Sequence, residues 1–139
     1  MIRITTSLIA LAALSACGTP NPPTVTAAQV HRSFEEARAI GRLPLTDTQH
    51  LPNGSVTYNG KLGADVSGEL NGSIIGDMQM IVGFNDHNID GAVTNINLVD
   101  PDGRPNQRLG GRLEIEGRET SGRLNADAFG NITAANDSG

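Results

Sequence analysis

Tryptophan is absent from this chain, aromatic residues make up 3% of it, and a single cysteine occurs among its 139 residues. The interior must therefore be built from valine, isoleucine, leucine and a few phenylalanines, and no internal disulfide can brace it. No apolar run reaches the roughly 20 residues that carry a helix across a bilayer. There is no basic stripe either: the formal charge is −5, so nothing here would release phosphate counterions, and nucleic acid is not an expected partner. The glycines form no Gly-x-x-x-x-Gly-Lys phosphate loop. The serines sit in no Gly-x-Ser-x-Gly elbow and have no His-Asp arrangement near them in sequence, so an enzyme is not expected.

What is present begins at the N-terminus. One arginine, Arg3, precedes a short apolar run over residues 8–14, and the run ends in Leu14-Ser15-Ala16-Cys17-Gly18. The run and its small-residue end have the form of a signal peptide. The five residues resemble the lipobox of bacterial lipoproteins. That resemblance implies removal of residues 1–16, acylation of Cys17, and a protein anchored to the membrane rather than spanning it. The alternative is an ordinary cleavable signal that leaves a free thiol beside the cut. An odd exposed cysteine is a liability in an exported protein, which favours acylation. Gly18 is not the aspartate that retains enterobacterial lipoproteins at the inner membrane, so the resemblance implies the outer membrane. The remaining 123 residues suit one small domain of net charge −6, which is usual for an exported domain and selects no partner.

Residues 18–26, rich in proline, threonine and asparagine, read as an extended, flexible tether following the acylated cysteine. Thr26 and Gln29 have capping-box spacing and Val30, Phe34, Ala37 and Ile40 recur at helical spacing, which predicts a short amphipathic helix over residues 27–40. Gly41 is expected as its left-handed C-cap and Pro44 as its stop. A polar connector follows to residue 52. From residue 53 to 139 the period changes to two, with glycine punctuation. Candidate strands are 55–62, 64–70, 77–84, 88–99, 108–116 and 119–127, separated by turn signals at Asn71-Gly72, Asn85-Asp86, Asp100-Pro101-Asp102-Gly103 and Glu116-Gly117. Consecutive hairpins without a crossover helix make the fold mainly β, an antiparallel up-and-down meander curling into a barrel. Met78, Met80 and Val82 share one face. Ile89, Gly91 and Val93, with Leu98 after a bulge, and Leu113 with Ile115, face inward as well. Gly60, Gly68, Gly91 and Gly111 are expected inside strands, where they allow sharp bending.

Val56-Thr57-Tyr58-Asn59-Gly60 is similar to the opening strand of the transferrin-binding-protein-B-like barrel lipoproteins. The stretch from Met80 through Phe84 and the Asn85-Asp86 turn to Ile89, Gly91, Val93 and Asn95 resembles a hairpin of the same family. Leu124-Asn125-Ala126-Asp127 is similar to a later strand. The resemblance covers roughly the last 85 residues and implies an eight-stranded barrel on a lipid-anchored stalk, often displayed at the cell surface. Two departures stand against it: only about six strands are countable, and the family's closing hairpin is missing. Either closure is incomplete or the sequence is part of a longer product.

His31, His50 and His87 have no His-x-His or His-x-x-x-His spacing, so no metal site is expected. Asp100, Asp102 and Gly103 superficially resemble a calcium loop, but Arg104 stands where the next ligand belongs, and the stretch reads as a plain turn. The Asn-x-Ser/Thr sequons at Asn53, Asn71, Asn131 and Asn136 read as turn chemistry. No cofactor is expected. The sequence thus predicts a lipid-anchored, non-enzymatic outer-membrane lipoprotein whose barrel binds a protein or small ligand, with Asp100, Asp102 and Arg104 as expected loop contacts because rigid scaffolds present function on loops. The alternative is a structural periplasmic lipoprotein without a soluble ligand.

Overall fold

A computed structural model describes residues 20–134. The signal segment, Cys17 and the Asn136 sequon lie outside the described residues. The helix α1 spans Ala27–Gly41 and opens with the expected box: the Gln29 backbone N–H donates to the Thr26 hydroxyl, and the Gln29 side chain accepts from the Thr26 N–H at 2.8 Å. Gly41 is not the left-handed cap. It stays in the last helical turn, and Arg42, in ordinary right-handed geometry, closes the helix: its N–H donates to the Ala39 carbonyl and the Leu43 N–H to the Ile40 carbonyl. A one-turn 3-10 helix, Thr48–His50, interrupts the connector.

Six strands follow: β1 Ser55–Val66, β2 Gly72–Gly83, β3 Asn88–Val99, β4 Pro105–Arg108, β5 Gly110–Thr120 and β6 Arg123–Thr133. They form one antiparallel sheet in the order β1-β2-β3-β5-β6, with the short β4 also paired to β3. β1 and β6 end the sheet and do not pair, so this is an open, barrel-like meander. The eight-stranded closed barrel implied by the family resemblance is not formed among the described residues.

Three differences from the sequence expectation have physical causes. The strands expected at 55–62 and 64–70 are one strand, because Gly63 continues the pairing opposite Ile75 and the chain turns only after Val66. Gly68 accordingly sits in the connection to β2, with a φ of 126°, rather than inside a strand. Glu116-Gly117 is not a turn: Gly117 stays in β5 because its backbone passes so close to β6 that a Cβ would stand 2.2 Å from the Asn125 carbonyl oxygen. The actual turn is Ser121-Gly122, whose φ values of 51° and 81° suit a two-residue hairpin with both central residues left-handed. That shift moves the last strand to 123–133. The strand expected at 108–116 begins instead at Gly110, and Pro105–Arg108 forms the separate short strand β4.

The inward row is as expected. Val82, Ile89, Val93, Leu113 and Ile115 are buried, and Ile96 and Leu98 join them. They do so because a bulge between the Ile75/Asn97 and Asp77/Thr94 pairs shifts the register, with Asn95 at a φ of 50°. Each such side chain contributes about 1.5–3 kcal/mol on leaving water. A second, smaller cluster forms on the other face of the sheet, where Val30 of α1 meets Val25, Ile75 and Val99.

Candidate functional site

Val30 is the only buried residue of α1. The helix is pinned near its start, and the rest of its apolar stripe stands free: Ile40 is 67% exposed, Leu43 and Leu45 follow it into solvent, and Phe34 is only partly covered. Between the second half of α1 and the sheet runs a groove of about 410 Å³, lined by Ala37 and Ile40 on one side and by Tyr58, Gly60, Met78 and Met80 on the other. Gly60 helps to open it, since no atom lies within 4 Å of where its Cβ would stand. Ser33, Glu36 and Lys61 line both this groove and the adjoining cleft that reaches Val25 and Ile75. The site therefore joins apolar walls to β1, a strand with no strand partner on its other side among the described residues.

At one end of the sheet lies a second, more polar cleft, lined among others by Thr48, Gln49, Leu51, Asn85, His87, Glu119 and Ser121. Glu119 is only 3% exposed. It occupies the same inward row as Leu113, Ile115 and Gly117, a position visible from parity once β5 is not ended at Glu116. Its carboxylate accepts from the Gly122 N–H at 2.5 Å and meets His87 Nδ1 at 2.6 Å. These bonds tie the β5–β6 turn to the β2–β3 turn, where His87 is held at a φ of 59°. Ser121 lines the cleft beside them, and the His–Glu pair locks the two turns together.

The Gly122 N–H, and then the His87 hydrogen bond, hold the Glu119 carboxyl below its ordinary value of 4.5. A depressed carboxyl contributes stability that is fully present above the ordinary value and is lost as pH falls through the folded one. Asp77, lowered chiefly by its hydrogen bond from Lys61, acts in the same direction. Thermal melts between pH 7 and 2 should therefore show wild-type stability falling below about pH 4.5. Glu119→Gln, which keeps an acceptor for Gly122, should flatten that fall but not abolish it, because Asp77 remains.

The loop contacts expected from sequence form a self-contained turn. Asp100 accepts from Asn106 Nδ2 at 2.8 Å, and its backbone closes the loop with Gly103 and Arg104. Asp102 accepts from the Arg104 N–H at 3.2 Å and pairs with its guanidinium at 3.3 Å. The three residues are thus neighbours, each engaged within its own turn. His31 and His50 are exposed, on α1 and on the 3-10 turn.

A polar row crosses the outer face of the sheet. Lys61 pairs with Asp77, Asp77 accepts from Asn95 Nδ2, Asn95 Oδ1 accepts from the Thr24 hydroxyl, and the fully buried Asn97 accepts from the Thr24 N–H at 2.7 Å. The Arg108 N–H donates to the Asn21 carbonyl. The segment expected as a tether is thus fastened to the sheet from Asn21 onward.

Together these features define an open six-stranded antiparallel meander preceded by a helix with an apolar groove beside it. No protein-family model, curated protein or solved structure matches the chain.

Proposed function

We propose that this is a lipid-anchored envelope lipoprotein, held to the outer membrane through Cys17, whose domain is a non-enzymatic binding module. Its resemblance to transferrin-binding-protein-B-like lipoproteins supports the same reading. The observation that carries the binding role is the α1–β1 groove, where Ile40 and Tyr58 remain exposed beside Ala37, Met78 and Met80. Exposed apolar clusters of this kind mark interaction sites when they are contiguous. The occupant it fits is an extended segment of a partner protein carrying an apolar side chain: the walls take the side chain, and the free backbone groups of β1 take the segment's main chain.

Fatty-acid labelling tests the anchor. Wild-type protein should take up label and sediment with membranes, whereas Cys17→Ser should lose the label and move wholly to the soluble fraction once its signal is cut. A processed Cys17→Ser protein that stays on the membrane would refute the anchor. For the groove, a photo-crosslinker at Tyr58 in intact cells should give a discrete adduct whose captured peptide contains an apolar residue. Ile40→Asp, at an exposed position, should abolish that adduct without altering the melting curve. Stronger crosslinking from Arg104 than from Tyr58 would place contact at the Asp100–Arg104 turn instead.

A further inference from the structure

β6 ends the sheet with eleven residues, of which only Ile132 is even partly buried. It pairs with β5 without a register shift from Gly110↔Thr133 to Thr120↔Arg123, so no bulge bends its outer edge away. Natural sheets guard such edges with proline, lysine, bulges or a covering helix. β1, at the opposite edge, carries Lys61. β6 carries neither proline nor lysine. Its inward row, Leu124, Ala126, Ala128, Gly130 and Ile132, is apolar throughout, yet Leu124 is 43% exposed and only Ile132 packs against the core.

We infer that β6 pairs with β6 of a second copy of this chain, antiparallel about a two-fold axis through Ala128. The register is self-complementary. On the inward side it sets Leu124 against Ile132, Ala126 against Gly130 and Ala128 against itself. On the outward side it sets Arg123 against Thr133, Asn125 against Asn131 and Asp127 against Phe129. On the inward side apolar residues meet apolar ones; on the outward side the asparagines can bond across the strands, and no like charges face each other. Moving the axis to residue 127 would set Asp127 on Asp127, and moving it to either side shortens the overlap. The interface is isologous and closes at two copies. It covers the unguarded edge of both and runs one sheet through the pair, while β1 and the groove beside it stay free on each copy.

The test uses full-length protein in the Cys17→Ser background, so that introduced cysteines are the only thiols. The Ala128→Cys variant should form a disulfide-linked dimer under mild oxidation, because directly opposed Cα atoms of antiparallel strands lie about 4.5–5.5 Å apart, within disulfide reach. Leu124→Cys and Ile132→Cys proteins should each crosslink poorly alone and efficiently when mixed. Light scattering should give a dimer mass for the background protein and a monomer mass for Ala128→Lys, whose circular dichroism stays unchanged. A monomeric background protein overturns the inference. So does crosslinking from Thr57→Cys on β1 equal to that from Ala128→Cys, or Leu124→Cys alone matching its mixture with Ile132→Cys, since either shows contact without this register.

Discussion

Asn97→Leu should lower the stability of the domain by about 2 kcal/mol, the scale set by one buried hydrogen-bonding group left without its partner. In a domain of this size that corresponds to a fall of roughly 8 °C in melting temperature. Asn97 is fully buried, and its amide is saturated: Oδ1 accepts from the Thr24 N–H, while Nδ2 donates to the Thr24 hydroxyl at 3.0 Å and to the Asn95 carbonyl at 2.9 Å. Leucine fills similar space but answers none of these groups. The second expected effect is local. With the Thr24 contacts gone, the segment from Asn21 to Val25 loses its hold beside Asn97, and limited proteolysis should cut there in the variant and not in wild type. Thr24→Val should reproduce part of the loss, and the double variant should fall short of the sum of the two, because both remove one shared network. Full additivity would show that Asn97 acts through something other than Thr24.

That contact explains why the N-terminal segment could not be read correctly from sequence. Composition made residues 18–26 a tether, since proline, threonine and asparagine offer no periodic apolar face. What fastens the segment is an asparagine more than 70 positions away, placed on the outer face by the same bulge in β3 that turns Ile96 and Leu98 inward. Local patterns carried further elsewhere. The capping box of α1, the whole of β3, and the return of Leu98 to the inward face after a bulge all follow from short-range chemistry that the tertiary structure leaves intact. Glycine is the most ambiguous residue in this sequence, because it serves both turns and close approaches of backbone. Gly63 and Gly117 look like breaks in the sequence, yet both lie inside strands, and the turn that ends β5 is made by Ser121 and Gly122. Ending β5 too early also hid Glu119, whose place in the inward row follows from the parity of Leu113 and Ile115. The groove was legible only in part. The helical apolar stripe is visible in the sequence, but sequence does not reveal that α1 is buried only at Val30.

Gly91→Val should be strongly damaging in the core of the sheet, costing about 3 kcal/mol or more. Gly91 lies in the middle of β3, opposite Met80 on one side and Ile115 on the other. A Cβ there would stand 2.4 Å from the Gln79 carbonyl oxygen and 3.0 Å from the Met80 Cα. These are backbone atoms of a paired strand, so no rotamer change can relieve the clash. The β2–β3 ladder itself would have to open, and with it the packing of Met80, Val82 and Ile89. For a domain whose total stability lies in the usual range of about 5–15 kcal/mol, a loss of that size should appear as a large drop in denaturant midpoint. Gly60 is the matched control, also a strand glycine, but with open space around it and no left-handed φ. Gly60→Ala should be neutral, or stabilising by up to about 1 kcal/mol through the unfolded chain. Gly60→Leu should be tolerated in stability yet occupy the groove beside Tyr58, and so weaken capture at that site as Ile40→Asp does. If Gly91→Val and Gly60→Ala melt alike, the close approach of β2 and β3 at Gly91 is not a feature of the folded protein.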